Sequence, residues 1–104
     1  MIHKIFTVYD VAAEAYLPPF MLHQQGMAIR EFQNMCNDQQ HRFGANPEDY
    51  ILFELGTFDD ETAEYETHEP LSVANGIEML RISTREEIIN QMRQHAANEE
   101  NFNG

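Results

Sequence analysis

The sequence predicts an α+β domain. Its core is a small, mainly antiparallel sheet in the order β-β-α-β-β, with one amphipathic helix packed on it and an extra C-terminal helix. Three observations predict this. Residues 50–58, "YILFELGTF", alternate with the two-residue period of a strand. Residues 24–40 carry Ala28, Ile29, Phe32, Met35 and Cys36 at the spacing of one helical face. With 104 residues, 42% of them hydrophobic, the chain has enough apolar surface for one core and too little length for two.

The first strand is read at 2–10, "IHKIFTVYD", rich in β-branched and aromatic residues. Ile5 and Val8 are three apart, so both faces of this strand need cover. After the connection "DVAAEA" comes "AYLPPFML" at 15–22. Its content is that of a strand, yet Pro18 and Pro19 have no N–H to give to a ladder. The stretch is therefore an edge strand, or one that passes midway into polyproline-like geometry. Leu17 and Pro18 are held extended because each precedes a proline. The break also discourages edge-to-edge aggregation.

The helix at 24–40 turns Arg30, Glu31, Gln33, Asn34 and Asn37 away from its apolar stripe. Gly44, Asn46 and Pro47 mark 41–50 as a loop. In the strand at 50–58, Ile51, Phe53 and Leu55 share one face, and Tyr50, Leu52 and Glu54 the other. The acidic turn "DDETAEY" and the alternating "AEYETHE" at 63–69 complete a hairpin, which Pro70 ends. Residues 71–82 fit either a short helical turn or a final strand. Thr84 with Glu87 is a capping box. It launches a helix at about 85–97 with Ile88, Ile89, Met92 and Ala96 as its stripe. The chain thus divides into one α+β domain at 1–82 and a helix with a polar tail at 83–104.

Net charge is −12, and one segment makes it so. Residues 1–47 carry −1, residues 48–69 carry −9 with no Lys or Arg, and residues 70–104 carry −2. A strongly acidic face repels phosphate backbones and attracts basic proteins. Any nucleic acid must therefore use another face.

Little in the sequence points to catalysis. The histidines at 3, 23, 41, 68 and 95 show no paired metal spacing, and Cys36 has no CxxC partner. His23 or His41 fits better as a cap of an element. Cys36 lies on the helix stripe, as a buried structural thiol does, and a lone cysteine fits a reducing intracellular setting. "DDETAEYE" lacks the glycine of a calcium loop. There is no P-loop, GxGxxG or GxSxG. The expectation is a non-enzyme with no catalytic residues, metal or cofactor. The sequence shows neither an 18-residue apolar run nor the apolar core of a secretory signal, so no membrane association is expected.

Surface recognition remains. In the less acidic half, cations lie among aromatics, as single-stranded nucleic acid requires: cations meet phosphates and rings stack on bases. Lys4, Arg30 and Arg42 are the candidate phosphate contacts, and Tyr16 and Phe20 the candidate stacking rings. The competing candidate is the acidic hairpin. There Glu54, Asp59, Asp60, Glu61, Glu64 and Glu66 could engage a basic replication or assembly protein, or imitate DNA. Both fit a homodimer, formed through strand edges or through the C-terminal helix.

Four stretches taken together resemble one family. They are "IFTVYDVAAEAYLPPF" at 5–20, "GMAIREFQNMCND" at 26–38, "NPEDYILFELGTFDD" at 46–60 and "EPLSVANG" at 69–76. In this order they are similar to the small non-structural protein of gokushoviruses, the Microviridae single-stranded DNA phages. The resemblance covers roughly residues 1–80. It implies a replication-associated phage protein in the host bacterial cytoplasm, of a kind described as DNA-binding. It further implies a part in genome replication or in the switch to single-strand synthesis for packaging. It carries over no catalytic residues.

Overall fold

Strand β1 (Ile2–Asp10) runs through the sheet between two antiparallel neighbours. This computed structural model describes residues 1–80 together with Ile89, Asn90, Met92 and Arg93, the last four in helical conformation. The capping box at Thr84 and the stripe positions Ile88 and Ala96 lie outside the described residues. Ile89 and Met92 are exposed.

One neighbour of β1 is the proline-bearing stretch, and it is an edge, as its missing donors require. It forms two short strands, β2 (Ala15–Tyr16) and β3 (Phe20–Leu22), both antiparallel to β1. Tyr9 pairs with Tyr16, but Phe6 pairs with Phe20, so the register slips by one residue across Pro18–Pro19. The slip is a bulge opposite Thr7. The Thr7 side chain, 1% exposed, donates its hydroxyl to the Leu17 carbonyl at 2.6 Å. A buried hydroxyl and a half-buried carbonyl are thereby satisfied where ladder bonds are lost.

The other neighbour is β4 (Tyr50–Asp59), which continues through a turn into β5 (Tyr65–Asn75). The sheet order is β2-β1-β4-β5, with β3 beside β2 along the same side of β1. Pro70 does not end the hairpin. It lies inside β5, on an outer edge where no neighbour among the described residues asks for its N–H. Leu55 is bulged from β4, and both adjoining registers shift there. Gly56, which follows it, has φ +155°, and a Cβ on it would stand 2.0 Å from the Glu66 carbonyl oxygen. Only glycine allows this approach of β4 to β5.

Helix α1 (Gln25–Cys36) stops earlier than the sequence predicts. The Asn37 side-chain amide donates to the Gln33 and Met79 carbonyls, which ends the helix and ties it to the turn after β5. The predicted loop at 41–50 contains a short helix α2 (Arg42–Ala45) and a 3-10 turn (Pro47–Asp49). His41 caps α2, its ring Nδ1 accepting from the Phe43 N–H at 3.0 Å.

One face of the sheet holds the main core. Phe6, Val8, Leu52 and Ala74 pack there with Ala28, Phe32 and Cys36 of α1 and with Phe43, Tyr50 and Leu80. Tyr50 and Leu52 come from one of the two faces read for β4, and Ala28, Phe32 and Cys36 from the predicted helix stripe. The opposite face has no helix over it among the described residues. The domain is α+β.

Candidate functional site

The predicted nucleic-acid contacts do not form one surface. Strand alternation alone would put Tyr16 and Phe20 on the same side. The extra residue in the diproline bulge turns them to opposite sides. Phe20 faces α1, half-buried, with its ring 5.8 Å from Phe6. Lys4 is on that same side, its ammonium 3.2 Å from Glu54. Arg30 is exposed on α1, and Arg42 is exposed on α2 with its guanidinium 5.6 Å from the centre of the Phe43 ring. Arg42, His41 and Phe20 meet at a hollow of about 230 Å³, which Leu17 and Pro18 wall from the edge strand.

Tyr16 belongs to the helix-free face, in a cluster the sequence did not single out. Its ring is 4.7 Å from Tyr9 and 5.8 Å from Phe53, the latter edge to face. Tyr9 and Phe53 are 6.4 Å apart and nearly perpendicular. Tyr16 is 52% exposed, and Tyr9 and Phe53 are partly exposed. Beside this trio lies an apolar hollow of about 250 Å³ lined by Thr7, Tyr16, Leu17, Pro19, Leu55 and Pro70. The two prolines thus serve different faces: Pro18 walls the hollow on the helix side, and Pro19 the one on the open side. At the other end of the open face, Phe58 is 4.7 Å from Tyr65 and 6.3 Å from His3.

Register separates the acids that have a strand partner from these rings, while Asp60, in the turn, reaches His3 on their side. Ile2, Lys4 and Phe6 share the helix side, and they pair with Asp59, Thr57 and Glu54; Thr57 in turn pairs with Glu66. Asp59, Glu64 and Glu66 line a hollow of about 290 Å³ with Ile2 and Thr57. The opposite positions are His3, Ile5, Thr7, Tyr9, Tyr16, Met21, Ile51, Phe53, Phe58, Tyr65, Thr67, Ser72 and Asn75. None of them is a carboxylate, lysine or arginine.

The acidic residues also differ among themselves. Glu54, 14% exposed, is held by Lys4 and by His68 at 3.4 Å. Asp60 accepts from the Met1 amine and pairs with His3 Nε2, both at 2.7 Å. The amine first, then His3, hold its carboxyl below the usual range. Glu61 lies 3.8 Å from the same amine. Among the described residues no cation pairs with Asp59, Glu64, Glu66 or Glu69. Cys36 is buried, and desolvation pushes its thiol up to about 11, so it is protonated at neutral pH. Among the described residues no three His, Cys, Asp or Glu side chains are grouped to hold a metal, and no helix is long and apolar enough to cross a membrane.

A family model described as "Phage ORF5 protein" matches residues 3–79, most of the chain. The chain belongs to the Phage ORF5 protein family. The match spans β1 to the turn after β5, so the diproline edge, the open aromatic face and the acidic hairpin all lie within the family's region. No curated protein and no solved structure matches the chain.

Proposed function

We propose that this ORF5-family chain is a non-catalytic, replication-associated protein of a gokushovirus-type phage, acting in the host cytoplasm. In this reading it binds single-stranded DNA by stacking bases on the open face of its sheet. One observation carries the reading: the touching rings of Tyr9, Tyr16 and Phe53 occupy a sheet face whose register positions hold no carboxylate, lysine or arginine. That arrangement answers the objection raised by a net charge of −12. Asp59, Glu54 and Glu66 project from the other side, so the bases need not approach them.

Unpaired bases expose π-faces, and partly exposed rings on a sheet receive them. Arg42 lies around the diproline edge, where the hollows of the two faces share Leu17, and it supplies a phosphate contact. Arg30 supplies a second. Lys4 is committed to Glu54, and Phe20 to the core, so neither is a principal contact. With one or two phosphates neutralised, the salt slope for a single strand is about −1.

Fluorescence anisotropy of labelled oligo-dT at low salt tests the proposal. The expected result is micromolar binding that weakens about tenfold in Tyr16→Ala, the cost of one stacked base. Absence of binding at tens of micromolar overturns the proposal. Binding that ignores Tyr16→Ala and follows only Arg30→Ala or Arg42→Ala overturns the stacking face.

A further inference from the structure

We propose that the outer edge of β5 is a docking edge for an extended basic segment of another protein, which adds as a further strand of the sheet. The inference is independent of the DNA reading, whose rings lie toward the opposite edge.

The two edges of this sheet are built differently. The β2–β3 edge is broken into strands of two and three residues by Pro18–Pro19, which remove two N–H donors and shift the register. That edge is closed to another strand. The β5 edge is eleven residues long, and every residue from Tyr65 to Ser72 is exposed. Nothing pairs with its outer side among the described residues. Pro70 interrupts its donors once. Its first part holds an unbroken register with β4, from Phe58–Tyr65 through Gly56–Thr67. A free, regular edge is a template for a strand.

The side chains along that part state what the strand carries. On the helix side stand Glu66 and, around one hollow with it, Asp59 and Glu64, none paired with a cation among the described residues. On the other side stand Tyr65, 61% exposed and packed on Phe58, and then Thr67. Because strand side chains alternate, an added segment meets the carboxylates of Glu64 and Glu66 on one side and the Tyr65 ring on the other. The complement is a segment alternating lysine or arginine with apolar residues. A second copy of this chain is the wrong occupant: it would bring another −9 segment against the first.

The test compares two peptides of equal charge with the full chain at low salt. One alternates lysine and valine; in the other each valine is N-methylated and has no backbone donor. The alternating peptide is expected to bind at micromolar level and to slow amide exchange in Tyr65–Thr67 about tenfold. The N-methylated peptide, and the Glu66→Lys variant with the first peptide, are each expected to bind about tenfold more weakly. The proposal is overturned if the alternating peptide does not bind, if both peptides bind equally, or if protection appears away from β5. Retained oligo-dT binding by Glu66→Lys keeps the two readings separable.

Discussion

Replacing Gly56 by alanine is expected to break the hairpin at its bulge. A Cβ there would stand 2.0 Å from the Glu66 carbonyl oxygen and 2.8 Å from Thr67 Cα, both backbone atoms of β5. An ordinary carbon–oxygen approach is about 3.3 Å, so β5 must retreat by about 1.3 Å, and no side-chain rotation relieves it. The φ of +155° adds backbone strain of about 1–3 kcal/mol for any residue with a side chain. Forced repacking adds about 1–3 kcal/mol more. The total, about 4 kcal/mol, is a large fraction of the 5–15 kcal/mol of an ordinary domain. It corresponds to a melting temperature lower by about 15 °C or more. Gly26→Ala is the matched control: among the described residues nothing lies within 4 Å of its Cβ position, and it sits in α1. There alanine is expected to be neutral or to stabilise by up to about 1 kcal/mol. Urea unfolding followed by circular dichroism measures both. A Gly56→Ala chain within about 0.5 kcal/mol of the parent would refute the reasoning.

Three further outcomes follow from the packing and the ion pairs. Cys36, with its thiol pushed to about 11 against an ordinary 9.0, is expected to react with iodoacetamide about a hundredfold more slowly in the native chain than in urea, and equal rates would contradict its burial. Thr7→Val keeps the shape but leaves the Leu17 carbonyl without its donor, so unfolding free energy should fall by about 1–2 kcal/mol in the same urea assay. The Asp60 carboxyl is lowered and the Met1 amine raised by their contact, so its stabilisation is present between their ordinary values of 3.8 and 8.0. It fades as pH falls below the first or rises above the second; a parent-minus-Asp60→Asn stability difference that grew outside that window would contradict the assignment.

The strands that alternate were legible because their partners lie beside them. β1 and β4 fall where composition and period two put them, and Tyr50, Leu52 and Glu54 share a face as read; that this face is the inward one came from the fold. The diproline edge was legible for a simpler reason: a residue without an N–H cannot sit between two paired strands. What the prolines do to the faces was not legible. The side of Phe20 depends on how many residues the bulge inserts, and that number is set by the closure of Thr7 on Leu17. Pro70 misled for the converse reason. It stops a strand with neighbours on both sides, but β5 is an outer strand and runs past it to Asn75. The end of α1 was overrun because Asn37–Gln40 are polar and equally at home in a helix or a turn; the bonds from Asn37 to Gln33 and Met79 decide it.

The candidate site divides in the same way. Tyr16 was found from its company of cations and rings, but its true neighbours, Tyr9 and Phe53, come from two other strands. Alternation groups Phe53 with Ile51 and Leu55, an apolar face, and does not say which side of either strand meets the core. Only the register that sets Thr7 opposite Phe53 and Tyr9 opposite Tyr16 brings them together. The acidic segment was plain in composition. Its division into carboxylates held by Lys4, His68, His3 and the Met1 amine, and others with no cation, required the fold.

The most direct test of the central claim is an NMR titration of the full chain with oligo-dT, following aromatic ring and backbone signals together. Stacking on the open face predicts large upfield ring shifts at Tyr9, Tyr16 and Phe53, smaller backbone shifts near Arg42, and none at Glu54 or Glu66. Unmoved rings at saturating DNA, or shifts confined to the helix side, would contradict it.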